Sequence, residues 1–435
     1  MTAPGAGGPP PDPNAGQPPR RPTSPELASS DDERVVELLS ELLRRTHLSA
    51  PSDLAAIVAD QARSIGACQL DLYLVNYELD ALVALPIAGS QAETLSVTGT
   101  IAGRAFRATT ILRPPHADDS PLRLWVPLID GTERLGVMGV TFPAGSAADP
   151  LLAVCERYAH MFSLLIVTKG AFGDTFVKTR RRRSMTIASE LAWSLAPPLV
   201  FATDGLALAG MLEPAYDNGG DALDYAVDDG VLHLAVFDAM GHGLAAAGVA
   251  AFAIAAYRHS RRDGLDLVQT RDAMHDAVAD QFPDERYVTA VIAQLELRTG
   301  RLSWISAGHP PPLVIRNGRT ARVLSAAPCL PLGVPLDGPP ARVAREMLEP
   351  GDLVLFYTDG LTEARGHDGR PFATDGLSAF IEREASGGHP APETLRRLRQ
   401  TIVGVQPDGL SDDATALLVE WNRGSEDAML PPTVD

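Results

Sequence analysis

Acidic residues recur beside glycine or other small residues at four places where β-strands are predicted to begin or end. The four segments are GGDALD, VFDAMGHG, FYTDGLTEA and LSDDATALLV, and their acids are Asp221, Asp224, Asp238, Asp359, Asp412 and Asp413. Small neighbours let backbone and ligand approach closely, so these carboxylates could serve one site. Mg²⁺ and Mn²⁺ prefer oxygen ligands, and two adjacent ions need shared carboxylates to offset their repulsion. The pattern therefore favours a centre for divalent cations.

Each acid taken alone has a simpler interpretation, because Asp before Gly is a common turn residue. The recurrence of four such segments in one part of the chain weakens that alternative. Zinc is disfavoured because it prefers His and Cys, and His242, His309 and His389 have no metal-ligand spacing with cysteine. We interpret His309, in AGHPPP, as fixing a turn before three prolines rather than as a proton donor.

The length and charge of the chain restrict its class of function. The 435 residues are enough for two or three domains. The chain has 37 Lys and Arg residues against 55 Asp and Glu residues, and its formal charge of -18 repels nucleic acid and anionic lipid. The three cysteines have no CxxC spacing, and neither a membrane-spanning stretch nor a secretory signal is visible. We expect a cytoplasmic protein with no nucleic-acid partner and no membrane insertion.

The N-terminal half predicts a tail followed by an α+β domain. Residues 1–33 have the Pro- and Gly-rich composition of a disordered tail. Residues 34–169 contain two helical patterns, a half-buried strand at 68–78, a hairpin turning at 130–133 and a closing helix. The order and length of these elements resemble a GAF-type sensory domain. Its candidate pocket for a small-molecule ligand, residues 96–106, has no His or Cys suited to haem, iron or a bilin.

A connecting helix is predicted between the two globular parts. Residues 170–198 carry apolar side chains at helical spacing until Pro197 and Pro198 stop the helix. The run from Arg180 to Arg183 is interpreted as a solvated face rather than as a grip on an acidic partner. Pairing of two copies of this helix would form a homodimer through which the N-terminal domain influences the C-terminal one.

The C-terminal part, residues 199–423, mixes strands and helices. Turn-bounded strands open it, strong helical patterns follow at 243–262 and 266–281, and β-rich segments return as far as DLVLFYTDG. Strands that flank a pair of helices predict a layered α/β sandwich with the acids at strand ends. Residues 424–435 are expected to form a flexible tail.

The motifs of this part resemble one family in their order. They include EPAYDNGGDALD, LAVFDAMGHGLAAA, SWISAGHPPPLV, APCLPLGV, LEPGDLVLFYTDGLTEAR and LSDDATALLVEW. The series is similar to the SpoIIE-type branch of the metal-dependent protein phosphatase (PPM) family over residues 185–421. The resemblance implies an αββα sandwich within an α+β chain, and a serine/threonine protein phosphatase, which is a phosphoric monoester hydrolase.

The resemblance also implies roles for the acids. Asp238 would bridge the metal ions, with the Ala239 carbonyl as a backbone ligand. Asp359 and Asp412 would be the other catalytic carboxylates, and Asp413 would support its neighbour at the metal. The implied cofactors are two Mn²⁺ or Mg²⁺ ions, with a third ion left open, and they would activate water for in-line attack.

Two more acids would complete the implied site. Asp221 would hold metal-bound waters or the third ion, and Asp224 is a weaker candidate for the same water- and substrate-binding shell. None of the three cysteines lies in an anion-cradling loop with basic neighbours, so a Cys nucleophile is unsupported.

The implied partner is a phosphorylated protein, of the anti-anti-sigma type found with bacterial members of this branch. The acidic surface favours a protein substrate over a small anionic ester, because shape contacts can orient a protein at the site. The N-terminal sensory domain would regulate the activity. Two alternatives stay open: a pseudophosphatase that binds a phosphoprotein without turnover, and a chain that acts chiefly as a ligand sensor.

Overall fold

The computed structural model describes most of the chain as an N-terminal domain, a connection and a C-terminal domain. The described residues are 30–87, 93–115, 119–217, 219–283, 286–365, 371–404, 410, 412–426 and 429–430. Residues 1–29 of the predicted tail lie outside them, and the first helix already begins at Ser30.

The N-terminal domain packs helices against one antiparallel sheet. Its elements are α1 (Ser30–Thr46), α2 (Leu54–Gln61), β1 (Gln69–Val75), β2 (Ala81–Ala84), β3 (Leu95–Ser96), α3 (Ile101–Ala108), β4 (Pro121–Asp130), β5 (Glu133–Ala144) and α4 (Asp149–Gly170). The strand order is β3-β2-β1-β5-β4. The predicted hairpin is confirmed, with Asp130 paired to Glu133 across its turn. The GAF-type assignment stays a prediction.

Helix α4 is long and apolar enough, by length and composition alone, to cross a bilayer. A core helix of a folded domain meets the same two criteria. The α4 side chains of Cys155, Tyr158 and Phe162 are fully buried in the N-terminal core, and the Tyr158 hydroxyl donates to the Val58 carbonyl oxygen at 2.7 Å. This packing favours the interpretation of α4 as a core helix.

The connection is not the single helix that the periodicity predicts. Helix α5 (Thr175–Arg180) ends at Arg181, whose backbone is extended, and helix α6 (Ile187–Leu195) starts only after its N-cap Thr186. The prediction of one continuous helix over residues 170–198 is therefore wrong. The apolar seam that was expected to carry a homodimer is interrupted at the same place.

The basic run between these two helices contacts both domains, which explains the interruption. The guanidinium of Arg180 lies 4.5 Å from the ring centroid of Tyr77 in the N-terminal domain. Arg182 reaches the Asp80 carboxylate at 3.4 Å, and its backbone N–H donates to the Tyr216 hydroxyl of the C-terminal domain at 3.1 Å. In a continuous helix the Arg182 N–H would donate to the carbonyl four residues earlier and could not reach the Tyr216 hydroxyl. The run is solvated in part: Arg182 and Arg183 are exposed, while Arg180 and Arg181 are half-buried.

The C-terminal domain contains eleven of the described strands and five of the described helices. Its strands are β6 (Val200–Thr203), β7 (Leu206–Glu213), β8 (Asp221–Asp228), β9 (Val231–Ala239), β10 (Val288–Glu296), β11 (Arg301–Ala307), β12 (Leu313–Arg316), β13 (Arg319–Val323), β14 (Ala344–Met347), β15 (Leu353–Tyr357) and β16 (Ala414–Trp421). Its helices are α7 (Gly243–Arg262), α8 (Leu267–Gln281), α9 (Asp359–Glu363), α10 (Ala373–Ser386) and α11 (Ala391–Val403).

These elements form the predicted layered sandwich. One sheet has the order β14-β11-β10-β9-β8, and the other has the order β13-β12-β15-β16-β7-β6. Alternate residues face opposite sides of each strand, so Val236 and Leu417 pack between the sheets while Phe237 packs under α7 and Leu418 against the α10–α11 layer. The result is an αββα sandwich, and the two helices expected from residues 243–262 and 266–281 are confirmed as α7 and α8.

The chain beyond β16 is more ordered than expected for a tail. The Glu426 carboxylate accepts a hydrogen bond from the Gly205 backbone N–H at 3.1 Å, and Met429 is buried. The prediction of a flexible tail over residues 424–435 is therefore wrong at Glu426 and Met429. Residues 427–428 and 431–435 lie outside the described part.

Removing a large side chain from between the two sheets tests this core. We expect Leu417→Ala to lower the free energy of unfolding by about 2–5 kcal/mol, because Leu417 is fully buried and a cavity would remain. Leu336→Ala is the matched control, since Leu336 is 67% exposed and its loss should change stability by less than about 0.5 kcal/mol. Denaturant unfolding followed by circular dichroism measures both, and equal effects would contradict the packing described.

Candidate metal centre

Five of the predicted acids lie at one end of the sandwich. Asp221, the first residue of β8, is paired directly with Asp238 near the end of β9. In the facing sheet β15 and β16 are antiparallel neighbours. Asp359, which follows β15, and the pair Asp412–Asp413, which precedes β16, therefore lie at the same end of that sheet. Strand ends that are distant in sequence therefore bring four segments of the chain to a common site.

Asp224 is the predicted site residue that the structure places elsewhere. It lies three residues after Asp221 on β8 and so faces the opposite side of the sheet. Its Oδ1 accepts from Arg258 at 2.7 Å and its Oδ2 accepts from Arg261 at 2.9 Å, both on α7. Asp224 thus anchors α7 to the sheet, and this contact is incompatible with its expected place beside Asp221 in a water-binding shell.

The hydroxyl of Thr358 connects the two sheets beneath the acids. It donates to Asp221 Oδ2 at 2.7 Å and accepts from the Thr415 backbone N–H at 2.9 Å. Thr358 is fully buried, so no solvent competes for either bond. The sequence analysis missed this residue; its signal was a hydroxyl residue directly before an Asp-Gly pair at a strand end.

Asp413 holds the glycine loop that precedes β8. Its Oδ2 accepts from the backbone N–H of Gly219 at 2.8 Å and of Gly220 at 2.6 Å. Hydrogen bonds from backbone N–H groups to a carboxylate are short and strong. Asp412 is exposed instead, and its Oδ1 accepts from the Asp413 backbone N–H at 2.9 Å. One member of the acidic pair therefore supports a loop while the other faces solvent.

Close backbone packing explains the glycines beside the acids. A Cβ on Gly219 would lie 2.3 Å from the nitrogen of Gly243, the first residue of α7. A Cβ on Gly360 would lie 1.9 Å from the Asp413 carbonyl oxygen. Both distances are far below van der Waals contact, so only glycine lets these loops meet. The glycines set the spacing between acids that come from different strands.

The acids raise one another's pKa values. Burial, followed by repulsion from Asp359, Asp412 and Asp413, raises the pKa of Asp238 to about 6. Burial and the charge of Asp412 raise the pKa of Asp359, and burial with the charges of Asp238 and Asp413 raises that of Asp221 well above its usual range. Within the described part of the chain, none of the five carboxylates forms a salt bridge with Lys or Arg. Their negative charge lacks a protein counter-ion there.

This donor set fits hard divalent cations in chemistry. All five side chains offer carboxylate oxygens, and the Ala239 carbonyl oxygen lies beside Gly220, 2.8 Å from the position of a Cβ there. The described residues contain no group of three His, Cys, Asp or Glu side chains already in ligating positions. The site therefore fits divalent cations in the type of its donor atoms and in its negative charge. Asp238, Asp359 and Asp412, with Ala239, are the groups that could hold metal.

His309 and Cys155, two further candidates for chemistry, are both buried in unreactive states. Burial lowers the pKa of His309 to about 3, and its Nδ1 shares a hydrogen bond with the Thr289 hydroxyl at 2.8 Å. The ring is therefore neutral near pH 7, and a neutral imidazole is a poor proton donor to a leaving group. Burial raises the pKa of Cys155 to about 12, which keeps it a thiol. Neither side chain competes with the acids for the chemistry of the site.

Two facing antiparallel sheets with helices on both outer sides, and acids meeting at one end, resemble the phosphatase domains of the PPM class. Residues 228–422 match the family described as stage II sporulation protein E (SpoIIE). The C-terminal domain is therefore similar to this family over most of its length. The match includes Asp238, Asp359 and the Asp412–Asp413 pair.

Known relatives are distant in sequence. The chain is 22% identical over 272 residues to the phosphoserine phosphatase RsbU of Bacillus subtilis, which covers 61% of this chain and 80% of RsbU. It is 24% identical to the phosphoserine phosphatase RsbP of the same organism, over 43% of this chain and 47% of RsbP. A crystal structure of the RsbU and RsbW domains of a Mycobacterium tuberculosis protein is 29% identical, with a TM-score of 0.42, over 50% of this chain and 60% of that one.

Removal of the Thr358 hydroxyl tests the link between the sheets. We expect Thr358→Val, a change of nearly equal size, to lower the free energy of unfolding by about 1–3 kcal/mol, because Asp221 and the Thr415 N–H lose a buried partner. Thr168→Val is the control, since the Thr168 hydroxyl bonds its own helix at an exposed position. Urea unfolding measures both changes, and a stable Thr358→Val chain would contradict the link.

Removal of one repelling charge tests the electrostatics. In EDTA at pH 7.5 we expect Asp238→Asn to raise the free energy of unfolding by about 1–2 kcal/mol, after allowance for solvent screening. The pKa of Asp238 is about 6 in the folded chain and 3.8 ordinarily, so protonation favours folding below pH 3.8 and this stabilisation is lost as pH rises through 6. The advantage of the variant should therefore shrink between pH 6 and pH 3.8.

The same variant has a readout with metal. Mn²⁺ should raise the unfolding temperature of the unsubstituted chain and of Asp228→Asn, whose exposed carboxylate lies at the far end of β8, but not that of Asp238→Asn. A variant that is less stable than the unsubstituted chain in EDTA would refute the proposed repulsion.

Proposed function

We propose that this chain is a Mn²⁺- or Mg²⁺-dependent protein phosphatase that removes phosphate from phosphoserine or phosphothreonine. The observation that carries the proposal is the group of acids that raise one another's pKa values at one end of the sandwich without a basic partner among the described residues. Divalent cations bound there would offset the repulsion among these carboxylates. The SpoIIE-type domain and the similarity to two phosphoserine phosphatases support the reaction class.

The residues then have distinct roles. Asp238 pairs with Asp221 and is repelled by the acids of the facing sheet, so it is the carboxylate that two ions would share, with the Ala239 carbonyl as a backbone ligand. Asp359 and Asp412 supply the remaining metal carboxylates from the facing sheet. Asp413 keeps the loop before β8 in place through its two backbone hydrogen bonds.

The chemistry requires no protein nucleophile. Divalent cations bound at such a site lower the pKa of a coordinated water and offset the charge of the phosphoryl oxygens. Asp221, which accepts a hydrogen bond from Thr358 and pairs with Asp238 across β8 and β9, would orient water at the ions. Neutral, buried His309 takes no part in proton transfer at neutral pH.

Exposed apolar side chains beside the acids support a protein substrate. Met240 is 49% exposed and Leu244 is 55% exposed, and both flank the loop that follows Asp238. Apolar contacts at this rim would hold a protein surface against an acidic molecule that repels small anions. We propose a phosphorylated partner of the anti-anti-sigma type, in the cytoplasm, in keeping with the similarity to RsbU and RsbP.

We further propose that the N-terminal domain regulates this activity as a GAF-like sensor. The contacts of Arg180 and Arg182 support the idea, because this run joins the turn after β1 to Tyr216. Tyr216 stands only a few residues before the glycine loop that Asp413 holds. A change in the N-terminal domain would therefore reach the acids over a short path.

Hydrolysis assays on the full chain test the reaction. We expect turnover of a phosphoserine peptide and of p-nitrophenyl phosphate with Mn²⁺ or Mg²⁺, and none in EDTA. Asp238→Asn should lower kcat at least about a hundredfold, because metal-assisted catalysis contributes several kcal/mol and each 1.4 kcal/mol is tenfold. Asp228→Asn, with its exposed carboxylate at the far end of the same strand, should retain full activity.

A second outcome separates the enzyme from a binding protein. A chain that binds Mn²⁺ and the phosphopeptide, yet shows no hydrolysis that differs from Asp238→Asn, would be a pseudophosphatase. Hydrolysis that continues in EDTA would contradict a metal-dependent mechanism.

A further inference from the structure

A cavity lies between the N-terminal and C-terminal domains, away from the acids. Its volume is about 330 Å³, which lies within the range of small-ligand sites. Apolar side chains from both domains and from α6 line it, among them Leu79, Phe106, Trp193, Met211 and Leu395. The cavity exists only where the two domains meet, and neither domain supplies its wall alone.

Basic groups outnumber acidic ones along this wall. Arg134, Arg180, Arg396 and Arg399 line the cavity against Glu133 and Glu213. Arg399 pairs with Glu213, and Arg180 stacks on Tyr77 and donates to the Val75 carbonyl. Arg134 and Arg396 also contact protein groups, but each keeps guanidinium donors that are unpaired or weakly paired and could meet a ligand. The chain as a whole is acidic, with a net charge of -18, whereas the wall of this cavity carries more basic than acidic side chains.

Arg396 has an unsatisfied donor at this wall. The side chain is 3% exposed, and its Nε and Nη2 donate to Glu393 at 2.7 and 2.6 Å. Its Nη1 is buried without a hydrogen-bond partner. Buried polar atoms in folded proteins are almost always hydrogen-bonded, and an exception calls for a missing partner. An acceptor atom in the cavity would satisfy this nitrogen.

Arg134 is the second unbalanced cation. Within the described residues it forms no salt bridge; its guanidinium stacks 5.1 Å from the Phe106 ring centroid, and Nη1 donates weakly to the Arg107 carbonyl at 3.4 Å. Burial lowers its pKa to about 10, and the positive charges of Arg396 and Arg107 act in the same direction while Glu393 opposes them. An anion between Arg134 and Arg396 would offset their repulsion.

We propose that this interdomain cavity binds a small amphipathic organic anion. Arg134 and the free Nη1 of Arg396 hold its anionic oxygens, because guanidinium groups match such oxygens in geometry and charge. The apolar body packs on Phe106, Trp193 and Leu395. A ligand bound there contacts both domains at once, so it favours the domain arrangement that forms the cavity.

Calorimetric titration of the full chain in EDTA tests the site with three probes that share one apolar body. Octanoate and octanesulfonate carry a planar and a tetrahedral anionic group, and octanol is neutral. We expect one site per chain for at least one of the anions and at least tenfold weaker binding of octanol. Arg134→Gln should weaken anion binding at least tenfold and leave octanol unchanged.

Two further variants keep the result interpretable. Ala196→Phe, at another wall position, should weaken all three probes by filling the cavity. Arg322→Gln removes an exposed arginine that pairs with Glu346 and should bind like the unsubstituted chain. Unfolding temperatures confirm that each variant is folded. Anions that bind no more tightly than octanol, or an Arg134→Gln chain that binds them normally, would overturn the proposal.

Discussion

Repulsion among carboxylates at one end of the sandwich is the constraint on which the rest of the C-terminal domain depends. Asp238 meets the charges of Asp359, Asp412 and Asp413, and burial adds to the cost of ionising it. Left to themselves these side chains would move apart into solvent. They stay together because the strands that carry them are fixed by a continuous apolar core between the sheets and by helices on both outer faces.

Neutral hydrogen bonds and close backbone contacts complete that restraint. Thr358 ties Asp221 to β16 without adding a charge, and Asp413 draws the glycine loop towards the facing sheet. Glycine at position 360 allows the approach, since any Cβ there would collide with the Asp413 carbonyl. The groups that position the acids thus leave their net negative charge in place, and divalent cations would offset that charge.

The two domains are joined by charge as well as by the chain. Arginines of the connecting run reach the N-terminal domain through Tyr77 and Asp80 and the C-terminal domain through Tyr216. The cavity beside this run has an excess of arginine although the whole chain is acidic. A cation-rich interface inside an acidic protein links ligand binding to the relative position of the domains, because an anion relieves repulsion only while both walls are present.

Local patterns in the sequence were enough to predict the helices α7 and α8, the β4–β5 hairpin and the layered class of the C-terminal domain. They also identified the aspartates as candidate ligands of divalent cations. These features depend on periodicity and turn chemistry within short segments. Only the tertiary structure decided which acids meet. Asp221 and Asp224 belong to one motif, yet the alternation of side chains along β8 places them on opposite faces of the sheet. Asp224 forms salt bridges with Arg258 and Arg261 instead of joining the other acids. The break at Arg181, the role of Thr358 and the interdomain cavity likewise arise from contacts between residues far apart in the chain, which no local pattern encodes.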